Sequence, residues 1–447
     1  MNKPVIKQFE DKGLSHFSYA VLSSGKIVLI DPGRDPLPYY EFAEENKATI
    51  TGVIETHPHA DFVSAHLEIH QDTGATLYVS KLVDADYPHK TFDEGDHIDL
   101  NEEVQLRALH TPGHSPDSIS IVLSHKGKDL CVFTGDTLFI GDVGRPDLRE
   151  SAGSMRSKRE ELARMMYKSL REKLMKLEDH VLVYPAHGAG SLCGKSLSEA
   201  SSSTIGMEKM SNYALQEMNE EAFIKILLED QPFIPKYFPY NVDLNKQGAP
   251  KYEESIQKVL KLETNFKPED GAIVVDGRPS SLYKASHFEG AINIMEGEKF
   301  ETWLGSIISP QESYYLVAQD EKTLDLLIRN ASKIGYELNI KGAFLYTNKN
   351  GETFDQFDKK AFKSNQKNYT IVDIRNSNEA QKDPILDEAI NIPLPELRER
   401  AKEIPRDKPI VVHCSGGYRS AAGSSIIKNQ LKDEIVLDMS EAIKDFI

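Results

Sequence analysis

Thr56-His57-Pro58-His59-Ala60-Asp61-Phe62 is the stretch on which the reading of this chain turns. It follows the run from Ile50 to Glu55, which predicts a strand, so its polar residues stand on the loop at a strand end. Alternate residues of an extended loop share a side, which aims His57, His59 and Asp61 towards one point. The same placement recurs outward along the chain. Lys26 to Ile30 predicts a strand that turns at Asp31-Pro32-Gly33, and Thr111-Pro112-Gly113-His114-Ser115 brings a further histidine. The strand Asp129 to Phe133 runs into Thr134-Gly135-Asp136, and Val181 to Tyr184 delivers Pro185-Ala186-His187-Gly188. Histidine and aspartate have no packing reason to recur at successive strand ends of one domain. Gathered from several strands, they complete a metal coordination shell.

Composition bounds the rest. A chain of 447 residues holds two to four domains, at roughly 100 to 200 residues each. The residues AVILMFWYC make up 39% and DEKR 28%, the mixture of a soluble globular protein. No run approaches the roughly 18 apolar residues of a membrane span. A net charge of −17 disfavours nucleic acid and anionic membranes as partners. Met1 to Glu10 lacks the apolar core and cleavage site of a secretory signal. Three distant cysteines, Cys131, Cys193 and Cys414, argue against a disulfide framework and for a reducing compartment, so a cytoplasmic location is expected.

The His/Asp set resembles the metallo-β-lactamase superfamily over about residues 10 to 195. The fold that this implies is α/β, an αββα sandwich of two sheets. In hydrolase members such as glyoxalase II the first motif ends Asp-His and two metals are held. Here the last position is Phe62, and a phenyl ring cannot ligate. A second site built around Asp61, His187 and a shared Asp136 therefore lacks one donor, and a single metal is expected. Within the superfamily the pattern is most similar to the persulfide dioxygenases, whose substrate loop the run Phe139-Ile140-Gly141-Asp142-Val143-Gly144-Arg145-Pro146-Asp147-Leu148 resembles. That resemblance implies one Fe(II) per chain held by His57, His114 and Asp136, with His59, Asp61 and His187 behind them. Two imidazoles and a carboxylate leave positions open for substrate and O₂. It implies a low-molecular-weight thiol persulfide and O₂ as substrates, and thiol and sulfite as products. Arg145 is a candidate substrate contact or a surface residue.

The C-terminal third carries a second chemistry. Pro409 to His413 predicts a buried strand that runs into Cys414-Ser415-Gly416-Gly417-Tyr418-Arg419-Ser420 and then a helix. Backbone N–H groups and a helix N-terminus around such a thiol stabilise a thiolate or persulfide anion, Gly416 and Gly417 permit the tight loop, and Arg419 supplies a cation for an anionic substrate. With Asp373-Ile374-Arg375 and Ala389-Ile390-Asn391-Ile392-Pro393, the loop resembles rhodanese sulfurtransferases over about residues 355 to 447, with sulfite and thiosulfate as implied small-molecule partners.

A related pattern lies about 98 residues upstream, too long a spacing for a solenoid repeat and suited to tandem duplicated domains. Ile273-Val274-Val275-Asp276-Gly277-Arg278 and Glu289-Gly290-Ala291-Ile292-Asn293-Ile294 echo the later motifs, but no cysteine follows Tyr315-Leu316-Val317-Ala318. The expected division is a metallo-β-lactamase-fold domain over residues 1–200, a helical extension and connector over 201–263, a catalytically silent rhodanese-like domain over 264–350, and an active one over 355–447. Both rhodanese-like domains are expected to be α/β with parallel sheets. Cys193, six residues after His187, is either an accessory thiol at the metal pocket or a bystander. Homo-oligomers are common among tandem domains of this kind, and no interface signature stands out here. The expected protein is a bifunctional persulfide dioxygenase and sulfurtransferase. Its rivals are a zinc-dependent thioester hydrolase of glyoxalase II type with a sulfur-carrier domain, and a sulfur carrier or sensor without turnover.

Overall fold

The structure is a computed structural model and describes residues 3–148, 159–297 and 299–447. It divides into two compact units, Met1–Glu254 with Lys333–Gly335, and Ser255–Ser332 with Tyr336–Ile447.

The first unit holds two six-stranded sheets. One runs in chain order through β1 (Val5–Asp11), β2 (His16–Ser23), β3 (Lys26–Ile30), β4 (Thr49–Ile54), β5 (Thr76–Val79) and β6 (Lys90–Thr91). Its first three strands pair antiparallel and the rest parallel. The other runs through β7 (His97–Asn101), β8 (Val104–His110), β9 (Ile119–His125), β10 (Lys128–Gly135), β11 (Leu182–Pro185) and β12 (Ser203–Thr204), with β10 and β11 as its parallel pair. Side chains alternate across each strand and so supply two cores apiece. Phe17, Tyr19 and Val21 of β2 meet Leu106, Ile119, Ile121 and Leu123 between the sheets. Ile27 and Leu29 of β3 turn outward with Ala20 to helices α1 (Leu37–Glu45) and α2 (His66–Thr73). Val122, Val132 and Val183 turn outward to α3 (Arg159–Lys168) and α4 (Glu220–Leu228). This is a sandwich of mixed sheets with helices on both outer faces.

Two expectations change. Residues 201–254 are part of this unit: β12 completes the second sheet, and Ile205, Phe223 and Leu227 share the outer core with α3. The apolar spacing of the charged run Met155 to Leu177 predicts one long helix, which begins outside the described residues. From Arg159 it is α-helical to Lys168, then passes through a π-turn at Ser169–Lys173 and a 3₁₀ turn at Leu174–Lys176. Leu162, Met166, Leu170 and Leu174, four apart, form its buried stripe.

The second unit holds two all-parallel four-stranded sheets. One has β13 (Ile273–Asp276), β14 (Ile292–Asn293), β15 (Tyr314–Ala318) and β16 (Ile340–Leu345) in the order β14-β13-β15-β16. The other repeats it with β17 (Thr370–Asp373), β18 (Ile390–Asn391), β19 (Ile410–His413) and β20 (Val436–Asp438). Every residue of β15, β17 and β19 is buried, as a sheet covered on both faces requires. The duplication extends to single bonds. Arg278 donates to Asp276 through Nε at 2.9 Å and Nη2 at 2.6 Å, and Arg375 to Asp373 at 3.0 and 2.6 Å. Asn293 and Asn391 each donate to the carbonyls of that aspartate and arginine at 2.9 Å. Among the described residues no helix is long and apolar enough to cross a membrane.

Candidate metal centre and thiol loop

The loop after β4 carries His57, His59 and Asp61 into the open ends of both sheets, where His114, Asp136 and His187 arrive from the loops after β8, β10 and β11. All six are buried. His57, His114 and Asp136 bring one ligand atom each within 4.8 Å of one another, and so do His59, Asp136 and His187.

Hydrogen bonds fix which ring nitrogen faces inward. Thr56 gives its N–H and hydroxyl to Asp31 at 2.7 and 2.8 Å, so its oxygen accepts from His57 Nδ1 at 3.1 Å. His114 Nδ1 donates to the Arg145 carbonyl at 2.9 Å, and His187 Nδ1 faces the Ser15 carbonyl at 3.3 Å. Each Nε2 therefore presents its lone pair to the centre. Asp136 divides its carboxylate: Oδ2 stands 3.8 Å from His57 Nε2 and 3.5 Å from His114 Nε2, while Oδ1 stands 3.4 Å from His187 Nε2. Those separations are long for hydrogen bonds. Those of 3.4 and 3.5 Å match the edges of a coordination polyhedron, in which atoms bonded to one ion at about 2.0 to 2.2 Å stand about 3 to 3.5 Å apart, and that of 3.8 Å lies just beyond them. Neither oxygen of Asp136 has a hydrogen-bond partner. Burial pushes its carboxyl up to about 6, against the pull of His187 and His59. Burial opposes a charge on His59, yet Asp31 at 3.2 Å lifts that ring to about 9. Orphaned buried donors of this kind fit a cation.

Phe62 is buried, its ring 3.8 Å from that of His16 and 4.3 Å from that of His59. Its ring packs against both imidazoles. Asp31 joins the cluster from the end of β3, while His16 and Asn245 are site residues that strand-end motifs do not signal. Asn245, on α5 (Phe238–Gln247), donates to the carbonyls of His59 and Phe62 at 2.9 and 2.8 Å and accepts from Ser64 N–H at 2.8 Å. The loop before Arg145 lies against β10 so closely that a Cβ at Gly144 would stand 1.9 Å from the Asp136 carbonyl oxygen.

Arg145 is neither a surface residue nor an unpaired cation. It is 1% exposed, grips Asp147 through Nε at 2.7 Å and Nη2 at 2.6 Å, and gives Nη1 to the Leu192 and Phe233 carbonyls. Its charge is spent holding three loops together. Cys193 does border the pocket: its thiol groups with Asp61 and His187 within 4.8 Å, and burial followed by the Asp61 charge pushes the thiol up. Cys131 is core packing in β10.

In the second unit, Cys414 follows β19 and lies 1% exposed beneath its loop, its Sγ accepting from Gly417 N–H at 3.1 Å. Gly417 has φ +100°, and a Cβ there would stand 2.9 Å from the Ser440 carbonyl carbon, so glycine is required. Gly416 meets no such constraint. The helix α6 (Tyr418–Gln430) starts immediately afterwards with no side-chain cap. Arg419 is not the free cation expected: Glu379 holds it through two hydrogen bonds of 2.6 and 2.8 Å, and Ser415 takes a third at 2.9 Å. The capping box of the helix Ser377–Lys382 positions Glu379.

The family profile of the metallo-beta-lactamase superfamily matches residues 11–187, and that of the rhodanese-like domain matches residues 355–446. A crystal structure of a metallo-beta-lactamase from Staphylococcus aureus superposes with a TM-score of 0.69 at 33% identity, covering 77% of this chain and 99% of that one. The chain belongs to the metallo-β-lactamase superfamily. Curated relatives of this metallo-β-lactamase domain include a probable metallo-hydrolase of Bacillus subtilis, 30% identical over 38% of this chain and 84% of the relative. A cytoplasmic hydroxyacylglutathione hydrolase of Arabidopsis thaliana is 31% identical over 38% of this chain. The match spans 63% of that hydrolase. The superfamily domain with its buried His/Asp cluster is thus joined to a rhodanese-like domain in one chain.

Proposed function

We propose that this chain is a persulfide dioxygenase fused to a sulfurtransferase, acting in a reducing compartment on thiol persulfides. The observation that carries the reading is the pairing of two outcomes in one loop: His57, with His114 and Asp136, meets at ligand spacing, while Phe62 withdraws a donor from the neighbouring position. Bound at His57, His114 and Asp136, Fe(II) would supply open positions for a persulfide sulfur and O₂. The protein's own part is to orient these groups. Thr56 and the Arg145 carbonyl hold the His57 and His114 rings in the tautomer with Nε2 inward, and buried Phe62 and His16 keep water from that side of the pocket.

At the second site the Cys414 thiolate attacks the outer sulfur of thiosulfate. An Sγ–S bond forms, the S–S bond of thiosulfate breaks, and its electron pair leaves on sulfite. Run in reverse, sulfite takes sulfur from the Cys414 persulfide and thiosulfate leaves. The Gly417 N–H and the uncapped start of α6 stabilise the anionic sulfur in either direction. The middle copy, with no cysteine after β15, is silent in this chemistry.

The second reading, a zinc-dependent thioester hydrolase, is favoured by the named hydrolase relative and by the retention of Asp61 and His187 beside Asp136. Anaerobically purified protein given glutathione persulfide or coenzyme A persulfide decides between them. One iron per chain with stoichiometric O₂ uptake and sulfite or thiosulfate release supports the dioxygenase. Zinc alone, no O₂ uptake and cleavage of a glutathione thioester would replace it with the hydrolase.

A further inference from the structure

We infer that Lys284, from the copy that lacks a cysteine, is a positioning residue for the Cys414 loop. It acts through Asp438 and Ser440, not on the reacting sulfur. The inference rests on the sulfurtransferase reading of that loop and goes beyond it, because it gives the silent copy a part in the chemistry.

Three observations carry it. Asp438, at the end of β20, has a side chain 0% exposed, and among the described residues its ion-pair partner is Lys284 Nζ at 2.6 Å. A carboxylate so enclosed needs a cation beside it, and this one comes from the short helix Ser280–Ala285 of the other copy. The same Nζ donates to Ser440 Oγ at 2.6 Å, so one ammonium bridges both residues.

The second observation is the conformation of Ser440. Its φ is +50°, in the left-handed region that serine adopts rarely. Asp438 holds it there: Oδ1 accepts the Ser440 N–H and Oδ2 the Ser440 hydroxyl, each at 2.8 Å. The carboxylate that fixes this turn is the one that Lys284 neutralises.

The third is that the turn forms the surface on which the thiol loop rests. A Cβ at Gly417 would stand 2.9 Å from the Ser440 carbonyl carbon and 3.0 Å from the Glu441 nitrogen, and Gly417 N–H is the donor to Cys414 Sγ at 3.1 Å. Each link from Lys284 to the sulfur is therefore a direct contact. The silent copy also meets the next residue, since the Tyr418 hydroxyl donates to the Met295 carbonyl at 2.5 Å.

Without the ammonium, Asp438 is left buried with no counter-charge, and the Ser440 turn loses the bonds that keep its φ positive. Gly417 then loses the wall behind it, and its N–H no longer aims at the sulfur. Loss of one hydrogen bond to an anionic sulfur slows transfer by roughly 10- to 100-fold. Lys284 itself binds no substrate, so the fall belongs to kcat and not to KM.

The test uses the full chain, with thiosulfate as sulfur donor, cyanide as acceptor and released sulfite as the signal. Lys284→Met should lower kcat by roughly 10-fold or more at an unchanged KM for thiosulfate. Lys284→Arg, for which a cavity of 660 Å³ beside Lys284 leaves room, should restore most of the rate. Hydrogen exchange read by mass spectrometry should quicken in Lys284→Met over residues 415–418 and 438–442 while β19 stays protected. A wild-type kcat in Lys284→Met, a fall confined to KM, or exchange unchanged in both segments overturns the inference. If Lys284→Met alone does not fold, Asp438→Asn is compared with the Lys284→Met, Asp438→Asn double variant. With the carboxylate gone the lysine has little left to position, so the two should transfer sulfur at similar rates, and a double variant slower by roughly 10-fold overturns the inference. Exchange that responds to Lys284→Met in a chain that takes no sulfur from thiosulfate would refute the sulfurtransferase reading and leave the coupling of Lys284 to the loop standing.

Discussion

Replacing Asn245 by alanine tests whether α5 is the support of the metal loop. The side chain is 3% exposed and makes three hydrogen bonds to that loop, two as donor to His59 and Phe62 and one as acceptor from Ser64. At about 1 kcal/mol net for each buried bond, alanine costs about 3 kcal/mol, a large share of the roughly 5 to 15 kcal/mol that holds a domain folded. Much of that cost falls on the segment His59–Ser64, because two carbonyls and one N–H stay buried without partners. Asp61 and the His57 ring lose their fixed placement, and ion affinity should drop by roughly 10- to 100-fold, as for other residues that orient ligands. Asn245→Asp is the sharper variant. It keeps the acceptor for Ser64 but turns an oxygen towards two carbonyls, so it should cost at least as much as alanine although its volume is unchanged. Urea unfolding gives the stability loss, and competition with a chromophoric chelator gives the affinity. A loss below about 0.5 kcal/mol with wild-type ion affinity, or a benign Asn245→Asp, refutes the reasoning.

Three other outcomes are expected. Cys414→Ser should abolish transfer of sulfur between thiosulfate and cyanide or sulfite while O₂ uptake with a thiol persulfide continues, and loss of both would show that the two sites work as one. Gly417→Ala forces a Cβ to 2.9 Å from Ser440 at φ +100°; a cost of about 1 to 3 kcal/mol should appear as a lower melting temperature and a slower transfer rate, whereas Gly416→Ala, which meets no atom within 4 Å, should change stability little. Burial lowers His287 from 6.5 to about 4, and burial also lowers His413. Below 6.5 the unfolded chain protonates these rings and the folded chain does not, so the second unit should lose stability as pH falls from 6.5 towards 4. The His287 share is roughly 3 kcal/mol; thermal melts across that window check it, and His287→Gln should flatten the slope.

The sandwich and its His/Asp cluster were legible because each ligand sits within a few residues of the strand that delivers it, so local motifs name them. What escaped was everything held across the chain. Asn245 reaches back 186 residues to His59, and the β2 histidine, His16, meets Phe62 from the other side. No periodicity links such positions. Arg145 was legible in principle. The chain binds an aspartate and an arginine two apart at Asp276 and Arg278 and again at Asp373 and Arg375, and Arg145-Pro146-Asp147 repeats that spacing in the reverse order. Read by that precedent, Arg145 is a structural ion pair. Arg419 differs, because its partner Glu379 comes from another helix 40 residues away and the loop motif alone leaves it looking free.

The two copies in the second unit show why a thiol alone would not make the middle one active. Both place a helix after the strand that carries or lacks the cysteine, and the first N–H groups of any helix seek an acceptor. After β15 the acceptor is built in: Asp320 takes the Thr323 N–H on Oδ1 at 2.8 Å and the Thr323 hydroxyl on Oδ2 at 3.1 Å, and this bond to the backbone draws its carboxyl below the usual range. A fixed carboxylate therefore occupies the place an anionic substrate would take and repels it. After β19 the corresponding helix has glycine at its start and no side-chain cap, so its amides remain for the sulfur of Cys414 and for whatever anion approaches it. Installing cysteine in the middle copy would leave Asp320 in possession of the anion site. Removing the carboxylate as well, and supplying a glycine able to take a positive φ, are the least changes that the comparison of the two junctions demands.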